Sequence, residues 1–193
     1  VRPRDILETA IAEHAALIEA SFEALAQPFE RVVELSRGAI EAGGKLIFFG
    51  NGGSAADAQH IAAELAVRFL GDRPPIPALA LTTDTSVLTA CGNDLGFEYI
   101  FSRQIEAIAR DVDIVFGIST SGRSRNVLLG VEAARRIGAS AVGLTGADGG
   151  SFAQICDATL EVPSRTVARI QEIHILIGHS LCAALEAELG FAS

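Results

Sequence analysis

Hydrophobic positions along the chain fall into two regimes. Over residues 5–26, Leu7, Ile11, Leu17 with Ile18, Phe22 and Leu25 recur at helical spacing, the signature of an amphipathic helix. Pro28 breaks that pattern, and Phe29, Val32, Val33 and Ile40 start a second helix that Gly43-Gly44 ends. Two helices thus precede the first strand, and apolar faces this long pack either on their own sheet or against a second subunit. From Lys45 onward the rhythm becomes short apolar run, loop, helix. The runs at 45–49, 78–81, 113–118, 140–144 and 158–162 predict strands. Helices are predicted over 55–70, 84–108 (interrupted around Gly92 and Gly96), 125–137 and 167–189, the last apolar almost all round. Alternating strands and helices predict an α/β fold, a parallel sheet covered on both faces, with ligands beyond the carboxyl ends of its strands. There is no internal repeat or low-complexity tract, and Arg73-Pro74-Pro75-Ile76-Pro77 is only a stiff connection. The expectation is one domain over 1–193, with an N-terminal helical pair (1–43) and an α/β core (44–193).

Composition narrows the function classes. Apolar residues make up 49% and charged residues 20% of 193 residues, which suits a globular domain with a sizeable core. A net charge of −9 argues against a nucleic-acid partner, whose phosphates need clustered Lys and Arg. Cys91, Cys156 and Cys182 are odd in number, widely spaced and without a CxxC, so neither a disulfide framework nor a cysteine zinc site is expected. The N-terminus has no signal-peptide core. The most apolar stretch, 173–185, is shorter than the roughly 20 residues of a membrane span. These features predict a soluble cytoplasmic protein with no membrane partner.

The chemistry concentrates in two loops and two helices. After the apolar run Leu46-Ile47-Phe48-Phe49 come Gly50, Asn51, Gly52 and Gly53, then a helix from Ser54. Strand, glycine loop and helix N-terminus point backbone N–H groups at an anion. Gly50-x-Gly52-x-x-Ala55 also fits a dinucleotide fingerprint. That reading wants an acidic residue about 20 positions on, at the end of the next strand. Asp72 precedes the proline stretch and Asp84 lies too far along, so the dinucleotide reading ranks below a sugar-phosphate site. Inside the helix, His60 and Glu64 are four residues apart and share a face, either as a functional pair or as an ordinary helix-face ion pair.

The second loop, Ser119-Thr120-Ser121-Gly122-Arg123-Ser124, follows a strand and precedes a helix. Four hydroxyls and free N–H groups at a helix start suit a phosphate, whereas capping alone needs a single Ser or Thr. Arg123 and Arg125 add positive potential. The last helix carries Gln171, His174 and His179, while His14 reads as a surface residue. Gln171 and His179 are eight residues apart, about 12 Å along a straight helix. They converge on one ligand only if long side chains bend inward or two subunits contribute. Asn93 and Asp94, framed by Gly92 and Gly96, suit either sugar hydroxyls or an Asx-type turn.

The segments NGGSAADAQHIAAEL, LTTDTSVLTACGND, GISTSGRS, GLTGADGG and RIQEIHILIGH, in this order and spacing, resemble the phosphoheptose isomerase (sedoheptulose 7-phosphate isomerase) family of the sugar isomerase, or SIS, fold. The resemblance runs from about Lys45 to Leu189. It implies a flavodoxin-like three-layer sandwich with a central five-stranded parallel sheet, assembled as a homotetramer with active sites between subunits. It implies that Asn51, Gly52, Gly53, Asn93 and Asp94 bind a sugar phosphate whose phosphate is held by Ser119, Thr120, Ser121 and Ser124, with Ser54 and Arg68 in or near the site. It also implies one zinc per subunit on His60, Glu64, Gln171 and His179, with Glu64 and His179 as the acid–base pair and Gln171 also near substrate. The implied reaction is interconversion of sedoheptulose 7-phosphate and D-glycero-D-manno-heptose 7-phosphate through an enediol, for heptose biosynthesis. Arg123 departs from the Asn that members often carry, and the loop 164–168 is assigned no role. Two alternatives remain within the fold. One is an isomerase for another sugar phosphate. The other is a regulatory protein binding the replication initiator, although such proteins lack the carboxylate and histidine present here as Glu64 and His179.

Overall fold

The computed structural model describes residues 1–191. Five strands, β1 (Leu46–Gly50), β2 (Ala78–Ala80), β3 (Ile114–Ile118), β4 (Ser140–Gly146) and β5 (Ala158–Val162), form one parallel sheet in the order β2-β1-β3-β4-β5. β1 and β3 are buried along their whole length because both faces of the sheet are covered, which is why they read as unbroken apolar runs. Leu46 and Phe48 point to one face, where Phe48 stacks on Phe116 with ring centroids 4.6 Å apart. Ile47 and Phe49 point to the other, where Phe49 meets Phe101 at 5.2 Å.

Among the described residues, seven helices complete the layers: α1 (Pro3–Glu41), α2 (Gly53–Ala66), α3 (Thr85–Asp94), α4 (Ser102–Ile108), α5 (Arg125–Ile137), the short α6 (Phe152–Ile155) and α7 (Val167–Glu188). Helices α1, α2 and α7 cover the Phe48 face, and α3 to α6 cover the Phe49 face. This is the three-layer, flavodoxin-like sandwich. Its strand order reverses between β1 and β3, so the loops leaving these two strands diverge to opposite faces and leave a crevice at their carboxyl ends. Among the described residues no helix is long and apolar enough to cross a membrane.

Two expectations need correction. Pro28 does not separate two helices: α1 runs unbroken through it for 39 residues. A mid-helix proline costs about 3 kcal/mol locally. Here Leu17, Ser21, Leu25, Val32, Ser36 and Ala39 form one buried stripe on both sides of Pro28, and packing along that stripe outweighs the local penalty. The first helix after β1 also ends at Ala66 rather than near 70, because residues 69–71 leave it to bind a buried carboxylate described below. The 84–108 segment resolves into α3, a single 3-10 turn (Phe97–Tyr99) and α4, broken where Gly96 takes φ 112°.

Candidate active site

The loop after β1 turns at Gly52, whose φ of 58° opens α2, and neither Gly52 nor another side chain caps that helix. The N–H groups of Ser54 and Ala55 turn back onto the Asn51 and Gly52 carbonyls at 3.0 and 3.1 Å, which leaves the Gly53 N–H to face outward from the loop. Gly53 meets α7 directly: a Cβ there would lie 2.8 Å from Gln171 Cδ, so Gln171 spreads its amide over the start of α2 only because residue 53 has no side chain. The two helices then run in parallel. Further along, a Cβ at Gly178 would lie 2.5 Å from Ile61 Cγ1, which sets α7 close on α2 in the next two turns.

This close parallel packing brings His179 to His60. Their Nε2 atoms are 2.8 Å apart and the rings meet edge to face at 63°. Glu64 Oε1 lies 3.5 Å from the same His60 nitrogen, one helical turn on. Phe69 stacks on the other side of His179, 5.4 Å between centroids, and fixes that ring. Phe69 is itself held from behind. Glu186 of α7 accepts hydrogen bonds from the N–H groups of Phe69 (3.1 Å), Leu70 (3.2 Å) and Gly71 (3.4 Å) and pairs with Arg73 Nε at 2.6 Å. Arg73 in turn donates to the carbonyls of Glu64 and Leu65, closing the last turn of α2. Burial pushes Glu186 up, but the Arg73 guanidinium and the three N–H groups outweigh it and hold the carboxyl below the usual range.

The loop after β3 is tied by its hydroxyls. Ser119 Oγ, buried, lies 2.9 Å from Ser124 Oγ and 3.4 Å from Ser121 Oγ. Ser124 is the N-cap residue of α5, yet its hydroxyl makes no capping bond. Capping is therefore not what the Ser124 hydroxyl does: the Val127 N–H is taken by the Ser124 carbonyl and Asn126 Oδ1, and the N–H groups of Arg125 and Asn126 stay open to an anion. Arg123 and Arg125 are both exposed beside it.

The structure brings His60, Glu64 and His179 together and gathers Asn51, Gly52, Gly53, Ser54 and Gln171 around the first loop. It gathers Ser119, Thr120, Ser121 and Ser124 in the second. It does not bring Gln171 to the imidazoles within one chain, since its amide sits at Gly53, two turns before His60. Asn93 and Asp94 close α3, exposed and hydrogen bonded to each other at 2.7 Å, and Arg68 is exposed just past α2. His174 faces the core instead: fully buried, with Nε2 3.3 Å from the Thr145 carbonyl, it is pushed down to about 4 by burial. It is a neutral packing residue, not a third reacting imidazole. His14 is half-buried rather than on the surface, with Nδ1 2.7 Å from Glu172 Oε2.

Sequence reasoning missed three contributors. Asn126, at the start of α5, exchanges two hydrogen bonds with Asn51. Phe69 has no local signal. Asp57 stands one turn before His60, a spacing that could have marked it. Its Oδ2 is buried without a partner, and burial pushes the carboxyl up to about 6 against the pull of His60.

Two imidazoles and a carboxylate are donors that zinc takes, so the side chains fit the metal by type. Among the described residues, no three His, Cys, Asp or Glu side chains are spaced as a ready metal site. The His60–His179 contact of 2.8 Å is a direct hydrogen bond, closer than the roughly 3.3 Å between two nitrogens on one tetrahedral zinc.

Residues 11–146 match the SIS domain family. The chain is 54% identical over 181 residues to a phosphoheptose isomerase of Paramagnetospirillum magneticum, covering 94% of each. It superposes on the solved phosphoheptose isomerase of Neisseria gonorrhoeae with a TM-score of 0.91 at 41% identity, covering 96% of this chain and all of that one. On the Francisella tularensis phosphoheptose isomerase the TM-score is 0.93 at 35% identity, with 97% of this chain and all of that one covered. In fold, in loop chemistry and along nearly its whole length, the chain belongs to the phosphoheptose isomerases of the SIS-domain family.

Proposed function

We propose that this isomerase interconverts sedoheptulose 7-phosphate and D-glycero-D-manno-heptose 7-phosphate, a step of heptose biosynthesis. The observation that carries the reading is the meeting of His60, Glu64 and His179 between α2 and α7, with both partners within 3.5 Å of His60 Nε2. Ser119, Thr120, Ser121 and Ser124 take the phosphate with the N–H groups of α5. Asn51, Gly52, Gly53, Ser54 and Gln171 hold the sugar end, with Asn93, Asp94 and Arg68 as further sugar contacts. Glu64 removes the proton from C1 of the ketose as O2 is protonated, giving a cis-enediol. Loss of the O1 proton and return of a proton to C2 then give the aldose. His179 moves the oxygen-bound protons, since an imidazole and a carboxylate can each exchange a proton near neutral pH. His60, Glu64 and His179 would hold one zinc, with Gln171 joining them only from a second copy of the chain, and the metal would supply polarisation of the carbonyl and enediolate oxygens or order in the site.

Turnover of sedoheptulose 7-phosphate by the purified protein, before and after chelation and with zinc returned, tests the reading. Loss and recovery are expected. Metal-independent turnover would remove zinc from it, and binding without turnover in any state would remove the isomerase.

The same reading makes the protein a homotetramer. Along α1, Ile6, Leu7, Ile11, Ile18 and Phe22 are all exposed in the single chain, Phe22 at 71%. A groove of about 320 Å³ between α1 and α7, lined by Ile18, Phe22, Leu25, Phe29, Ile173 and Leu176, continues that face. A second copy of this chain is the occupant that the intersubunit site requires. Sedimentation velocity should show four copies, and a smaller species for Phe22→Glu. A monomeric unaltered protein that still turns over would end the intersubunit assignment.

A further inference from the structure

We infer that Asn126 is a positioning residue that orients the Asn51 amide and thereby joins the sugar-binding loop to the phosphate-binding loop. Asn51 lies in the glycine turn after β1, and Asn126 lies 75 residues on in the first turn of α5. Their side-chain amides pair reciprocally. Asn51 Nδ2 donates to Asn126 Oδ1 at 2.9 Å, and Asn126 Nδ2 donates to Asn51 Oδ1 at 2.8 Å.

The polarity of that pair is set by the main chain. The N–H of Val127, shared with the Ser124 carbonyl, donates to Asn126 Oδ1 at 3.0 Å, which turns the oxygen end of Asn126 toward it and leaves the NH2 for Asn51. Asn51 must then present its own NH2 to Asn126 Oδ1, and its amide has one orientation. With one N–H and one oxygen lone pair used, Asn51 keeps a second of each for a ligand, and it is half-buried at the mouth of the crevice. Asn126 is 3% exposed, too buried to offer its amide to a ligand in the crevice. Its effect on chemistry has to pass through Asn51.

The pair also spans the place where the strand order reverses. β1 and β3 are adjacent strands whose loops go to helices on opposite faces, so the two loops part at the crevice. The Asn51–Asn126 pair ties them there, between the turn that meets Gln171 and the helix that carries Ser124. A substrate bridging both loops would meet two subsites at a fixed separation, which is where orientation contributes to rate.

This inference rests on the isomerase reading, and a double-mutant cycle separates the two. Asn51→Ala, Asn126→Asp and the double variant are compared by kcat/KM for sedoheptulose 7-phosphate, by calorimetric affinity for the same sugar, and by competitive inhibition with inorganic phosphate. Asn126→Asp keeps shape and the Val127 bond but sets an oxygen against Asn51 Oδ1. Asn126→Ala, followed by thermal unfolding, reports any loss of fold. A fall in kcat/KM of about tenfold is expected for Asn126→Asp, with phosphate inhibition changed less than about twofold. In the Asn51→Ala background the same change should have almost no further effect. Multiplying losses, phosphate inhibition that weakens in step with kcat/KM, or full activity of Asn126→Asp would each overturn the inference while leaving the isomerase standing. An unaltered protein that binds the sugar without turnover, with a non-additive cycle in affinity, would reject the isomerase and keep the inference. Neither turnover nor binding would remove both.

Discussion

Glu64→Gln is expected to lower kcat by about 10²- to 10⁴-fold, the usual contribution of a positioned general base or acid. The amide is isosteric with the carboxylate but takes up no proton. The fold should not notice the change. The Glu64 side chain is only partly buried and its neighbour His60 is 46% exposed, while the groups that close α2 use the Glu64 backbone carbonyl, bonded to Arg73 at 2.9 Å. An exposed or half-exposed helix-face pair contributes only a few tenths of a kcal/mol. Steady-state kinetics, zinc content and thermal unfolding of the same preparation read the three consequences separately. Near-normal turnover with zinc still bound would assign the carbon-bound proton elsewhere, with His179 the next candidate.

The largest effect on stability is expected at Glu186. The Arg73 side chain is 1% exposed and that of Glu186 4%, so removing one partner leaves a charge buried without its counterion. Such a loss costs about 3–5 kcal/mol. In Glu186→Ala the N–H groups of Phe69, Leu70 and Gly71 also lose their acceptor, and Phe69 loses the support that stacks it on His179. Urea unfolding should therefore show a loss near the top of that range, together with reduced activity. Replacing both partners by Arg73→Met and Glu186→Leu should restore part of the stability, because no buried charge remains. The pH dependence has a definite sign. A carboxyl held below its ordinary value of 4.5 adds stability that is complete above that value and lost as pH falls through the lower folded one. The unaltered protein should thus show an acid limb below about pH 4.5 that Glu186→Gln makes shallower. A single-variant loss under about 1 kcal/mol would show that water reaches the pair.

How much of this was legible in the sequence depended on how local the cause was. The strands were readable because burial on both faces of a parallel sheet leaves unbroken apolar runs such as Leu46-Ile47-Phe48-Phe49. α5 could be bounded because Gly138 takes a left-handed cap after Ile137. Pro28 misled because its cost is local, whereas the stripe that overrides it is tertiary. His60 and Glu64 stood out through helical spacing. Gln171 and His179 stood out as residue types, but their different destinations along α2 depend on the close parallel approach of α7. That approach turns on Gly53 and Gly178, and nothing in the spacing announces it. The Asn51–Asn126 pair joins residues 75 apart and had no local signal.

Fold and chemistry draw on separate parts of this chain. The sheet and the Arg73–Glu186 clamp are buried, while His60 and Glu64 lie where α2 meets α7 with side chains 46% and 27% exposed. Substitution at those two positions is nearly free of structural penalty, so a duplicated copy could lose the reaction by a single exchange and persist as a stable receptor for sugar phosphates.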